Sequence, residues 1–263
     1  MTTTIALAGK GGTGKTTFAA MLIKHLVETN AGTVLAIDAD PSANLNLALG
    51  MKLDQTIGDI REGMLADVNK VDGSLNGRPG MSKHDYLDME IEYALVEGDR
   101  VDLLAMGRPE GPGCYCAVNH ILRDIIDRLG AAYDYVVIDN EAGLEHLSRR
   151  TTRDVDVLYV VTDPTVRGTI AAGRVADLRE ELDVNIKNAY LVVNRLVGEL
   201  SPTLVETIAG LGIPLAGTIP ADPQVSRADA DGRPLVELGP DSAIYGAVQR
   251  IVEKTLLEKM LIG

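Results

Sequence analysis

Tryptophan is absent from this chain, phenylalanine occurs once, and aromatic residues make up 3% of its 263 positions. Its core must be built from Ile, Leu, Val, Ala and Met, packed by aliphatic branching rather than by rings. Positive charge is in deficit: 25 Lys and Arg against 38 Asp and Glu give a formal net charge of −13. That balance argues against the basic surface that non-specific nucleic-acid binding needs, and against adhesion to anionic lipid. No nucleic-acid or membrane partner is expected. No apolar run approaches the ~20 residues of a membrane span. No basic-then-apolar leader precedes the first motif, so the expected compartment is the cytoplasm. Cysteine is nearly absent, with only Cys114 and Cys116. In a reducing compartment such a pair points to metal or redox chemistry rather than to a structural disulfide.

What is present is a folded chain, 46% hydrophobic and 24% charged. Short apolar, β-rich runs without polar alternation recur at residues 4–8, 34–38, 101–106, 135–139, 157–162, 190–194 and 216–220. Such runs suit strands covered on both faces. Helical patterns lie between most of them: residues 16–27, residues 117–129 with Ile121, Leu122, Ile125, Ile126 and Leu129 on one stripe, and residues 243–261. The expected fold class is α/β, a single doubly wound, mostly parallel sheet with helices on both faces, spanning residues 1–263 as one domain. Residues 53–113 fit this rhythm least. They carry the turn signals Asp72-Gly73, Asn76-Gly77 and Pro79-Gly80 and read as an excursion holding one core strand and ending at the cysteines.

The first strand runs into Gly9-Lys10-Gly11-Gly12-Thr13-Gly14-Lys15-Thr16-Thr17, which fits the G-x-x-x-x-G-K-[ST] phosphate loop in full. Gly11, Gly12 and Gly14 let successive N–H groups curl towards one concavity, and that concavity opens on a helix N-terminus that favours negative charge. Lys15 is expected to reach the β/γ-phosphates and Thr16 to give its hydroxyl to Mg²⁺. Gly11 to Thr17 are thus expected to bind nucleotide. Two further apolar runs end in carboxylates, at Asp38 and Asp40 and at Asp139, where ligands bind in open α/β sheets. Asp139 closes a Walker B pattern.

Cys114 and Cys116 lie one residue apart, just before the helical pattern starting at Ala117, whose N-terminus favours thiolate. Two thiolates do not fill a four-coordinate site, whereas a twofold dimer presenting both from each chain does. Four sulfurs suit Zn²⁺ or Ni²⁺, and they also suit an iron–sulfur cluster. Two unrelated cysteines are the plain alternative. His25, His84 and His120 have no ligand-like spacing, and Glu145-His146 reads as a polar helix start.

A second lysine, Lys10, after the first glycine resembles the deviant Walker A of the ParA/MinD/nitrogenase-iron-protein class. That resemblance implies an ATP-dependent homodimer in which Lys10 crosses to the partner's nucleotide, Asp38 helps to hold the Mg²⁺ shell and Asp40 positions the attacking water. Lys10, Lys15, Asp40 and Asp139 are the implied catalytic set. It also implies that Asn194, followed by Arg195, reads the adenine edge, and that the Pro220-Ala221-Asp222 segment faces the base. The stretch Gly113-Cys114-Tyr115-Cys116-Ala117-x-Asn119, with Asp139-x-Glu-Ala-Gly143-Leu-Glu145-His146, is similar to the CooC-type ATPases that mature the nickel site of carbon monoxide dehydrogenase. This likeness implies ATP/ADP, Mg²⁺ and Zn²⁺ or Ni²⁺ as ligands, carbon monoxide dehydrogenase as partner, and metal binding by Cys114 and Cys116. A positioning ATPase of the ParA/MinD kind and an iron–sulfur carrier are the competing expectations. For the first of these, the amphipathic C-terminal helix would serve as a membrane anchor instead of packing on the sheet.

Overall fold

The computed structural model describes residues 2–68, 83–107, 129–141, 154–181 and 185–257. Seven strands form one sheet: β1 (Thr3–Ala8), β2 (Val34–Ala39), β3 (Val101–Ala105), β4 (Tyr135–Asn140), β5 (Asp154–Thr162), β6 (Asn185–Leu196) and β7 (Leu215–Pro220). Their spatial order is β3-β2-β4-β1-β5-β6-β7, and all six neighbouring pairs are parallel. Each of the seven expected runs is a strand. The sheet goes beyond the mostly parallel expectation: antiparallel pairing among the described residues is confined to an isolated bridge between Val96 and Leu103.

Strand alternation divides the core in two. Ile5, Leu7, Val137 and Tyr159 face one side with Phe18, Met21, Leu22 and Leu26 of α1 (Lys15–Glu28) and Val248 and Ile251 of α8 (Ala243–Val252). Ala6, Ala8, Ile138 and Val160 face the other with Ile57, Ile60, Ile91, Ala172 and Leu204. These last residues belong to α3 (Ile57–Val68), α4 (Lys83–Ala94), α5 (Val166–Glu181) and α6 (Pro202–Ala209). A short α2 (Leu45–Leu49) follows β2, and α7 (Pro223–Asp231) follows β7. Helices therefore cover both faces, as doubly wound folds require.

Within the described residues, the supposed excursion at 53–113 contributes two helices as well as β3. A sequence signal for the first was available. The N–H and hydroxyl of Thr56 donate to Asp59 Oδ2 at 2.8 and 2.7 Å, and the Asp59 N–H donates back to Thr56 Oγ1 at 3.2 Å. This is a capping box at the start of α3. Gly107, part of the same segment, has φ +64° and is where a Cβ would meet Thr56 at 2.2 Å. The three turn signals at 72–80 lie outside the described residues, as does all but the last residue of the expected helix at 117–129.

The C-terminal pattern expected to be one α-helix changes character. α8 ends at Val252 and continues as a wide π turn over Glu253–Leu257. Its apolar residues Ile244, Tyr245, Ala247, Val248, Ile251 and Val252 are buried. α8 packs on α1 and β7; of the 251–262 segment expected as the alternative membrane anchor, Ile251, Val252, Thr255 and Leu256 are buried, and residues 258–262 lie outside the described residues. No helix among the described residues is long and apolar enough to cross a membrane.

Candidate functional site

The site sits at the carboxyl edge of the sheet, where β1 gives way to the loop before α1. Gly9 has φ +142°, and a Cβ there would lie 2.1 Å from the Val161 carbonyl oxygen of β5. Gly14, at φ +92°, is the N-cap of α1 and carries no side-chain cap. The first-turn N–H groups of α1 have no intrahelical acceptors, so they remain directed at the concavity. Phosphate is the ligand such a terminus favours. Lys15, 7% exposed, stretches back along the loop, its Nζ 3.4 Å from both the Gly9 and Lys10 carbonyl oxygens. Burial holds its pKa below the usual lysine range, against the opposing pull of Asp139, Asp40 and Glu141. The Thr13 hydroxyl donates to the Lys10 carbonyl at 2.9 Å. Lys10 itself is exposed.

The sheet register brings the carboxylates together. Asp38 of β2 pairs with Asp139 of β4, and Asp139 with Leu7 of β1. The Thr16 hydroxyl donates to Asp139 Oδ2 at 2.5 Å. Asp139 Oδ1 is buried and has no hydrogen-bond partner among the described residues. Burial pushes the Asp139 carboxyl up to about 7; Thr16 and Lys15 pull it down, while the charges of Asp38 and Asp40 add to the rise. Asp38 is fully buried. It accepts the N–H of Asp40 at 3.1 Å and of Leu45 at 2.8 Å, so it also shapes the turn after β2. Burial raises it to about 6 despite those donors. Asp40 is half-buried and accepts the Ser42 N–H at 2.8 Å.

An unpaired carboxylate oxygen beside a threonine hydroxyl at the mouth of a phosphate loop fits Mg²⁺, a hard cation that prefers oxygen. Thr16 and Asp139, with Asp38 in register beside Asp139, are the residues that would hold it. Among the described residues no group of three or more His, Cys, Asp or Glu gathers as a metal centre. A phosphate-loop Mg²⁺ needs fewer, because water and phosphate oxygens complete its shell.

Two clefts meet over the loop. One of about 360 Å³ is lined by Gly11, Gly12, Gly14, Lys15, Thr16 and Asp40. Ser42, Asn44 and Glu141 line it too and were missed in the sequence; Glu141 follows the Walker B strand directly and was the most legible of the three. The other, of about 560 Å³, is lined by Thr17, Asn194, Arg195, Pro220 and Asp222 among others. Arg195 borders both clefts. In this second cleft the expected base-facing side chains are engaged within the protein. The Asn194 amide donates to the Thr13 carbonyl and accepts the Arg195 N–H, each at 2.8 Å. Asp222 caps α7 through the Gln224 N–H at 2.9 Å, and its other oxygen accepts the Ser242 hydroxyl at 2.9 Å and the Ile244 N–H at 3.2 Å. Burial alone would raise its pKa, but these donors outweigh it and hold the carboxyl below the ordinary range. Cys114 and Cys116, together with Gly143, Glu145 and His146, lie outside the described residues.

The sequence matches the model of the CobQ/CobB/MinD/ParA nucleotide binding domain over residues 4–235. An uncharacterized ATP-binding protein of Methanocaldococcus jannaschii is 44% identical over 255 residues, covering 97% of this chain and 99% of that protein. The carbon monoxide dehydrogenase accessory protein CooC of Rhodospirillum rubrum is 32% identical over 247 residues, 90% of each chain. Among solved structures, the septum site-determining protein MinD of Pyrococcus horikoshii, complexed with Mg-ADP, aligns with a TM-score of 0.69 at 24% identity, covering 99% of this chain and 98% of that one.

Proposed function

Because this chain belongs to the CobQ/CobB/MinD/ParA nucleotide-binding family, we propose that it is a Mg²⁺-dependent ATPase acting as a metallochaperone. In this reading it works in the cytoplasm as one 1–263 domain, forms a nucleotide-bridged homodimer, binds Zn²⁺ or Ni²⁺ through Cys114 and Cys116, and assists nickel insertion into carbon monoxide dehydrogenase. The observation that carries the ATPase reading is the Thr16–Asp139 pair with its unpartnered Oδ1 beside the loop. The metal reading is supported by the 32% identity to CooC together with the C-x-C spacing.

The chain's own groups suit phosphoryl transfer to water. Lys15 and the loop N–H groups meet the negative charge of the β/γ-phosphates. Mg²⁺ held by Thr16 and Asp139 would supply neutralisation of the phosphate charge. Asp40, at the rim of the cleft, orients water for in-line attack. Lys10 is exposed beside the same cleft, free to reach a partner's nucleotide. Nickel enters this scheme as cargo, held by thiolates whose geometry changes with dimer closure.

The test is metal content against oligomeric state, by elemental analysis of size-exclusion fractions with and without Mg·ATP. Wild type is expected to carry one Zn²⁺ or Ni²⁺ per dimer. Cys114→Ala with Cys116→Ala should lose that metal yet keep ATP binding. Equal metal in the double variant, or a metal-free wild type that dimerises on ATP, overturns the metallochaperone reading; the second result favours a positioning ATPase.

A further inference from the structure

A phosphate loop binds anions only while its N–H groups converge, and its carbonyl oxygens must then point away. In this chain the outward carbonyls are met by donors from outside the loop as well as from within. Lys15 and Thr13 serve the Gly9 and Lys10 oxygens. The Gly12 oxygen accepts from Arg195 Nη1 and the Thr13 oxygen from Asn194 Nδ2, each at 2.8 Å. Both outer donors stand at the end of β6, where the pairing with β7 shifts register between Val193 and Leu196. Such an irregularity re-aims side chains at a sheet rim. Arg195 adopts φ +57°, uncommon for a residue with a side chain, as its guanidinium folds back onto the loop. Asn194 is 3% exposed and comes so close that a Cβ on Gly14 would lie 2.3 Å from its Nδ2.

We propose that Asn194 and Arg195 are positioning residues that hold the phosphate loop in its anion-binding shape, tying the larger cleft to the phosphate cleft. This rests on the nucleotide-binding reading above and assigns Asn194 work beyond recognising a base. Whatever occupies the larger cleft presses on the same two residues that fix the Gly12 and Thr13 carbonyls, so base binding and phosphate geometry are linked.

Inorganic tripolyphosphate with Mg²⁺ is the discriminating probe, because it has no base. Isothermal titration of Asn194→Ala should show tripolyphosphate affinity weakened about fivefold or more, the scale of one lost hydrogen bond. ATP affinity should fall at least as much. If Asn194 serves the base alone, tripolyphosphate affinity stays at the wild-type value and only ATP weakens, which overturns the proposal. Arg195→Ala is the second arm should Asn194→Ala fold poorly, since Arg195 is exposed. Its deficit should persist in about 1 M salt, where the Debye length is ~3 Å and direct charge attraction is screened. A deficit abolished by salt assigns Arg195 to simple charge attraction and overturns its part. A wild type that binds neither ATP nor tripolyphosphate overturns the nucleotide reading itself, an outcome separate from either variant's failure.

Discussion

Asp139 and Asp222 are the same side chain near the exits of parallel strands on one sheet edge, yet they sit in opposite states. Asp139, on the β4 side of the loop, is 1% exposed, with its carboxyl raised to about 7 and one oxygen unpartnered. Asp222, on the β7 side, has both oxygens occupied by donors that keep it ionised. A buried carboxylate with a vacant lone pair costs stability, whereas a capping carboxylate contributes it. The Asp139 side leaves an acceptor unused, whereas the Asp222 side uses both oxygens to hold the backbone and Ser242 in place.

The sharpest way to break this contrast is Asp139→Asn. Turnover of Mg·ATP should fall by about 10²-fold or more, the scale of removing one electrostatic stabiliser at a reacting phosphate. Stability at pH 8 should be unchanged or higher, because the amide keeps a partner for Thr16 without a buried charge. A variant that keeps wild-type turnover would remove Asp139 from the site. Asp222→Ala should do the reverse. Losing the cap of α7 and the brace to Ser242 should cost about 1–2 kcal/mol by urea denaturation. Turnover of the folded fraction should change far less than in Asp139→Asn.

A smaller effect separates the two by pH. The folded pKa values of Asp38 and Asp139, about 6 and about 7, lie above the unfolded value of 3.8. Between about pH 4 and pH 7 the native state therefore binds more protons than the unfolded one, and their contribution to stability falls as pH rises. Asp222, held low, has the opposite sign: its contribution is present above the ordinary carboxylate range and is lost on acidification through its depressed folded pKa. Denaturation of the ligand-free protein across pH 4.5–8 should show a downward component that Asp139→Asn reduces. A slope unaltered by that substitution would mean Asp139 does not titrate where its burial places it.

Much of this was legible beforehand, and unevenly. The strand runs read correctly because both-face burial leaves an unbroken apolar signature in consecutive residues. The loop read correctly because its glycines answer local demands, such as Gly9 passing the Val161 carbonyl. Within residues 53–113 the expected core strand is β3; the two described helices before it were not foreseen, although the Thr56–Asp59 capping box is a local signal for α3, because Ile57, Ile60 and Ile91 reach the second core face from scattered positions. The resemblance implied that Asn194 and Asp222 face the base; both line the larger cleft. What no motif carries is that their side-chain atoms are already engaged by Thr13, Arg195, Gln224, Ser242 and Ile244.

The sequence by itself determined the strand–helix rhythm and the phosphate-loop chemistry, since both are written in neighbouring residues with fixed spacing. Tertiary structure alone decided that Thr16 meets Asp139, 123 residues away, and that Asn194 meets Thr13, 181 residues away. It also decided which carboxylates are poised and which are capped. That choice depends on how much of the assembled core excludes water from each group and which donors the register delivers to it, and no local pattern contains either quantity.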